Sequence, residues 1–114
     1  MKTNWKELIE QKREEIEKAI FEQWKDMLTV DQTTSMRNVV LLWNNGEVTT
    51  GYRDYNSFST GEHDGTAICI ISFGSQKDDC YSEFEDENEY INFMCSEYPP
   101  DIDDILNQRM KYLD

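Results

Sequence analysis

The sequence predicts an α+β domain: a three-stranded antiparallel sheet with a long N-terminal helix before it and two helices after it, in the order α-β-β-β-α-α. Three observations predict it. Apolar residues recur at helical spacing through the first segment. Two β-branched and aromatic runs then meet at Asn45-Gly46, a hairpin signal. After Phe73 the helical spacing returns and is punctuated by Pro99-Pro100. At 114 residues the chain is long enough for one modest core and reads as a single domain, 1–114.

The first helix is expected from Asn4 to about Leu28. Asn4 and Glu7 form a capping-box pattern, and Trp5, Leu8, Ile9, Ile16, Ala19, Ile20 and Met27 share one face. Lys12 interrupts that stripe, where its stem can snorkel outward. Glu14 and Lys18 are spaced as an i,i+4 pair. The apolar heptads do not continue, which argues against a free-standing coiled coil.

"TVDQTTS" is a polar connector. Val39 to Trp43 is continuously apolar, as in a strand covered on both faces or lying at a sheet centre. Asn45-Gly46 suits a type I′ turn. In the return strand Val48, Thr50 and Tyr52 alternate with more polar neighbours, so one face is wet. "NSFSTGEHDG" reads as a loop and Thr66–Phe73 as a third strand.

Ser82 with Glu85 repeats the capping-box pattern, so a helix is expected from there to about Glu97, with Phe84, Asn88, Ile91, Cys95 and Tyr98 on its core side. "YPP" ends it. Asp101 then caps a last helix whose apolar stripe is Ile102, Ile105, Leu106, Met110 and Leu113.

The net charge of −13 points to a protein repelled by nucleic acid and by anionic membranes, whose natural partners are basic. No apolar run approaches the roughly 20 residues that span a bilayer, and "MKTNWKELIE" lacks the pattern of a secretory leader. Cys69, Cys80 and Cys95 form no CxxC, and their odd number fits reduced thiols and a cytoplasmic setting. Cys69 and Cys95 sit in apolar patterns and read as packing residues. His63, within "GEHDG", is a single imidazole where a metal site needs three or four converging ligands. "EDENE" lacks the spacing of an EF-hand loop. There is no GxSxG, P-loop or HExxH. No enzymatic activity, metal or cofactor is expected.

The charge is segregated. Residues 1–30 sum to −1, residues 31–77 to −2 and residues 78–114 to −10; from Asp78 to Gln108 there are eleven acids and no Lys or Arg. Five carboxylates, Glu83, Glu85, Asp86, Glu87 and Glu89, fall within seven residues. On a helix rising about 1.5 Å per residue they would approach the charge density of duplex DNA, one per about 1.7 Å. Acids in a first helical turn are favoured by the dipole. Acid pairs at i,i+3 and i,i+4 oppose this by about 0.2–0.5 kcal/mol each. The two effects roughly cancel, so stability alone neither demands nor forbids the cluster. Helical spacing turns Tyr90 and Phe93 to the acid side, where a phenyl ring among carboxylates suits an interface anchor. Asp101, Asp103 and Asp104 add a further patch. The candidate partner-binding residues are therefore Glu83, Glu85, Asp86, Glu87, Glu89, Phe93, Asp101, Asp103 and Asp104.

The order α-β-β-β-α resembles a double-stranded-RNA-binding domain, but such a domain needs basic groups against phosphates. The whole order, with the small size, the acidity and the stretch "EFEDENEY", resembles the small phage-encoded anti-CRISPR proteins that inhibit Cas9. The likeness lies in architecture and charge, not in aligned motifs. It implies a non-enzymatic DNA mimic in the arginine-built groove where Cas9 reads its PAM. The same physics would serve an immunity protein or antitoxin that neutralises a toxic nuclease. A different class of function, a small-molecule or peptide-binding module, would use the sheet face bearing Trp43, Tyr52 and Phe58 with Arg53 beside it. Either a monomer or a homodimer through the first helix fits the sequence.

Overall fold

The computed structural model describes residues 3–54 and 67–113, excepting the side chains of 52–54. The elements run in the expected α+β order, with the first helix in two pieces: α1 (Trp5–Gln11), α2 (Arg13–Asp26), β1 (Met36–Trp43), β2 (Val48–Asp54), β3 (Ala67–Phe73), a short 3-10 helix (Asp79–Glu83), α3 (Glu87–Glu97) and α4 (Ile102–Lys111). The expected Thr66 at the start of β3 and the loop bearing Phe58 and His63 lie outside the described residues.

Asn4 caps α1, its Oδ1 accepting from the Glu7 N–H at 3.2 Å. The single helix expected over 4–28 is instead bent at Lys12, which leaves helical geometry at φ −106° and ψ 15°. The Lys12 N–H still donates to the Leu8 carbonyl and the Ile16 N–H to the Lys12 carbonyl, both at 3.0 Å, so the helix is kinked rather than cut. The Lys12 stem lies against the hairpin tip, its Cε 3.0 Å from where a Cβ on Gly46 would stand, while its Nζ reaches Glu15 at 3.7 Å. The stem is thus covered and the ammonium faces water. The local ion pairs that form are Lys12–Glu15 and Arg13–Glu17, in place of the expected Glu14–Lys18 pair.

The sheet order is β2-β1-β3, with β1 antiparallel to both neighbours. The central place of β1 explains its unbroken apolar run, because residues on both of its faces are buried. Val40 and Leu42 join Ile68 and Ile70 in the main core with Ile9, Ile16, Ile20, Trp24 and Leu28 of the N-terminal segment. Val39 and Leu41 form a second small cluster with Cys69, against which Trp43 packs. Each fully buried Ile or Leu contributes about 1.5–3 kcal/mol relative to exposure.

The β1–β2 connection differs from the expected type I′ turn. The Gly46 N–H donates to the Trp43 carbonyl at 2.8 Å, and the Trp43 N–H donates to the Glu47 carbonyl at 2.9 Å. The loop therefore holds three residues, 44–46, with Gly46 at φ 90°. This is a turn closed by a left-handed glycine, the usual three-residue solution. The Asn45 side chain accepts from the Glu47 N–H at 2.9 Å and reinforces it.

The largest departure concerns the acidic helix, which starts at Glu87 rather than Ser82. Residues 79–83 form the 3-10 turn capped by Asp78, and the backbone at Phe84 and at Asp86 is extended. The segment before α3 is held by other contacts: the Asp78 cap and the packing of Tyr81 and Phe84 on Tyr90. Starting at Asp86 uses one acid as the cap and puts Glu87 and Glu89 in the first turn, where the dipole favours them.

Candidate acidic interface

The buried side of α3 is centred on Tyr90 and Met94, not on the expected Asn88, Ile91 and Cys95. Tyr90 and Met94, one turn apart, face the core; Ile91 and Cys95 are half-buried and Asn88 is exposed. The expectation that Tyr90 and Phe93 stand on an outward acid side is corrected. Tyr90 is fully buried, and its hydroxyl accepts from the Asp78 N–H at 2.9 Å. Its ring meets Tyr81 at 4.9 Å and Phe84 at 5.6 Å, both edge-on. Phe93 is half-buried against the core, 5.3 Å from Phe84 and 5.9 Å from Tyr98 between ring centres. These rings tie the 3-10 segment to α3, as edge-to-face pairs do.

Asp78 and the eight candidate acids divide into two groups. Three hold backbone. The Asp78 side chain accepts from the Cys80 N–H at 2.9 Å, Asp86 from the Asn88 N–H at 2.8 Å and Asp101 from the Asp104 N–H at 3.0 Å. The bond from Cys80 holds the Asp78 carboxyl below its ordinary range. Asp103 is engaged too, in a close ion pair with Arg13, which also pairs with Glu17 at 2.8 Å. Its contacts with Glu17 first, and Asp103 second, push the Arg13 guanidinium above its ordinary value.

Glu83, Glu85, Glu87, Glu89 and Asp104 are all exposed. Among the described residues none of them belongs to an ion pair. Glu87 accepts from the Tyr81 hydroxyl at 3.3 Å. The five carboxylates from Glu83 to Glu89 are therefore outward but not a continuous helical ridge. Extended backbone rises about 3.3 Å per residue, so their line density falls below that expected for a helix.

Lys77 approaches the stretch from the N-terminal side. Its Nζ pairs with Asp31 at 3.0 Å and sits 4.2 Å from the Tyr81 ring centre. The bond to Asp31 raises its pKa.

Sequence reasoning missed a groove between β3 and α4. Ile70, Ile71 and Ile105 line it, with Asp104, Arg109 and Tyr112 at its sides. The Arg109 Nε donates to the Cys69 carbonyl at 2.7 Å, so α4 reaches across an edge strand. The signal was half present: Ile105 belongs to the apolar stripe of α4, but the strand beside it is a matter of topology.

The alternative aromatic sheet face is only partly in view. The Trp43 Nε1 donates to the Thr49 hydroxyl at 2.8 Å, and its ring packs on the second cluster. Phe58 and the side chains of Tyr52 and Arg53 lie outside the described residues. Among the described residues no group of three or more His, Cys, Asp or Glu is placed to hold a metal ion. No helix among them is long and apolar enough to cross a membrane. Cys69 is buried, and Cys80 and Cys95 pack at the edge of the main core.

Compared with known proteins, the chain matches no family model, no curated protein and no solved structure.

Proposed function

We propose that this chain is a non-enzymatic, acidic inhibitor that binds a basic nucleic-acid-binding protein, a nuclease above all, by offering carboxylates where that protein expects phosphates. The observation that carries the reading is the outward, unpaired state of Glu83, Glu85, Glu87, Glu89 and Asp104 within a segment that has eleven acids and no Lys or Arg from Asp78 to Gln108. Capping accounts for Asp86 and Asp101, pairing accounts for Asp103, and the helix dipole favours Glu87, Glu89 and Asp104 in first turns, but none of these accounts for Glu83 and Glu85. The resemblance in architecture and acidity makes a Cas9-type nuclease the first partner to try. A toxic nuclease neutralised by a cognate immunity protein is the second.

The test is inhibition of DNA binding and cleavage by guide-loaded Cas9 and by a panel of toxin nucleases, with Glu83, Glu85 and Glu89 replaced by Lys. The wild-type chain should inhibit one of these enzymes stoichiometrically and lose affinity as salt rises. The triple variant should fold and fail to inhibit. Inhibition undiminished in the triple variant overturns the reading, as does a wild-type chain inert against every member.

A further inference from the structure

Tyr98, expected on the core side of α3, is 61% exposed. Its place is nonetheless fixed. The Tyr98 N–H donates to the Met94 carbonyl at 2.9 Å and closes the helix. Pro99 and Pro100 follow, each with its φ locked by the ring. The Tyr98 ring stands edge-on to Phe93, 5.9 Å between centres, and Phe93 leans on Phe84 at 5.3 Å. The tyrosine is thus an aromatic anchor held in place before any partner arrives, which lowers the ordering cost of binding.

The electrostatics of this helix end select the occupant. The C-terminus of a helix carries about half a negative charge. The last turn of α2 answers it with Lys25, and that of α4 with Arg109 and Lys111. The last turn of α3 has no basic residue and ends on an acid, Glu97, where the dipole disfavours one. Glu97 is exposed and belongs to no ion pair among the described residues. Arg13, which reaches the start of α4, is already engaged by Glu17 and Asp103. The chain itself shows how such parts take a cation: the Lys77 Nζ lies 4.2 Å from the Tyr81 ring centre and 3.0 Å from Asp31. Tyr98 beside Glu97 offers a ring and a carboxylate to a cation from outside. A guanidinium suits both, because it stacks on aromatic faces and donates to carboxylates in a planar fork.

We infer that the C-terminal end of α3 is an arginine-binding point for the basic partner, whose guanidinium stacks on Tyr98 and pairs with Glu97. The inference rests on the acidic-inhibitor reading and adds to it a grip outside the stretch from Glu83 to Glu89.

Three nine-residue Ser-spaced peptides test it against the isotope-labelled chain by NMR titration at about 150 mM salt. They carry four arginines, four lysines or four citrullines, citrulline being the neutral isostere of arginine. The arginine peptide should bind about threefold more tightly than the lysine peptide, and the citrulline peptide should not bind. Intermolecular NOEs should join the arginine δ protons to the Tyr98 ring. Tyr98→Leu, which keeps an apolar cover on Phe93, should erase the preference for arginine. Glu97→Gln, at an exposed position, should weaken both cationic peptides. Equal binding of the two cationic peptides, a preference that survives Tyr98→Leu in a folded variant, or NOEs confined to other residues overturns this binding point and leaves the acidic reading standing. Citrulline binding as tight as arginine overturns the cationic chemistry. Tyr98 resonances that shift on dilution of the chain alone make a second copy the occupant and overturn the inference. No binding by any peptide also overturns it, and the acidic reading is then judged by nuclease inhibition alone.

Discussion

Asp86 carries a charge and closes a helix, and two substitutions separate those roles. Its side chain accepts from the Asn88 N–H as the N-cap of α3. Asn caps as well as Asp, whereas Ala does not. Asp86→Ala should cost about 1 kcal/mol of stability and Asp86→Asn only a few tenths, measured by urea unfolding. If Asp86→Asn weakens partner binding at unchanged stability, the charge itself is recognised. Asp78 and Tyr90 supply a second residue-scale prediction, on pH. Burial pushes the Tyr90 phenol above its ordinary value. Its contribution to stability is therefore whole below the unfolded pKa of about 10 and is lost as pH rises through the folded value. The Asp78 carboxyl is held low by the Cys80 N–H. Its contribution is whole above about pH 3.9 and is lost as pH falls through the folded value. Tyr90→Phe should flatten the alkaline limb of the stability profile, and Asp78→Asn the acid limb. Unchanged profiles would mean that these bonds do not persist in solution. The signal for Asp86 was in the sequence: Asp86 stands three residues before Glu89, just as Ser82 stands before Glu85. Two capping patterns stand four residues apart, and the packing of Tyr81 and Phe84 on Tyr90, which a cap search does not see, accompanies the later one.

Among the elements, β3 is an edge strand, and edges invite pairing with other chains. The guanidinium of Arg109 occupies one of its outward carbonyls. Replacing Arg109 with Met should cost about 1.5–3 kcal/mol, the range for a hydrogen bond to a charged group, and should raise self-association in sedimentation experiments. The hairpin makes a parallel case. Gly46→Ala places a side chain at φ 90° and meets the Lys12 stem, so it should destabilise by at least about 1–2 kcal/mol, the cost of the left-handed backbone alone. The existence and type of the strands and α-helices were legible from their apolar periods. The 3-10 turn Asp79–Glu83 and the three-residue hairpin loop were not, and neither were two further details. The kink at Lys12 follows no Gly or Pro; it coincides with a contact to a hairpin distant in sequence. The central position of β1 was foreshadowed by its unbroken apolar run, but which strand lies on each side of it comes only from pairing.

For the molecule as a whole, a net charge of −13 has opposite consequences for folding and for binding. Self-repulsion loosens the fold and salt screens it, with a Debye length of about 8 Å at physiological ionic strength. The melting temperature should therefore rise between 10 and 200 mM NaCl (~10 to ~200 mM spans the screening range), while affinity for a cationic partner falls. A melting temperature insensitive to salt would mean that the carboxylates are neutralised by contacts beyond the four ion pairs of the described residues. The segregation of charge was plain in the sequence. Its presentation was not, because periodicity placed Phe93 among the acids whereas the fold packs it with Phe84 and Tyr98.

The bend between α1 and α2 puts two adjacent trypsin sites, Lys12 and Arg13, at the one place where the N-terminal helical segment departs from regular geometry. A protease must open several residues of backbone to cut, and a kink opens more readily than a helix interior. The bridges from Arg13 to Glu17 and Asp103 hold that junction shut. Brief digestion should nick the chain there first, and faster once Asp103 is replaced by Asn.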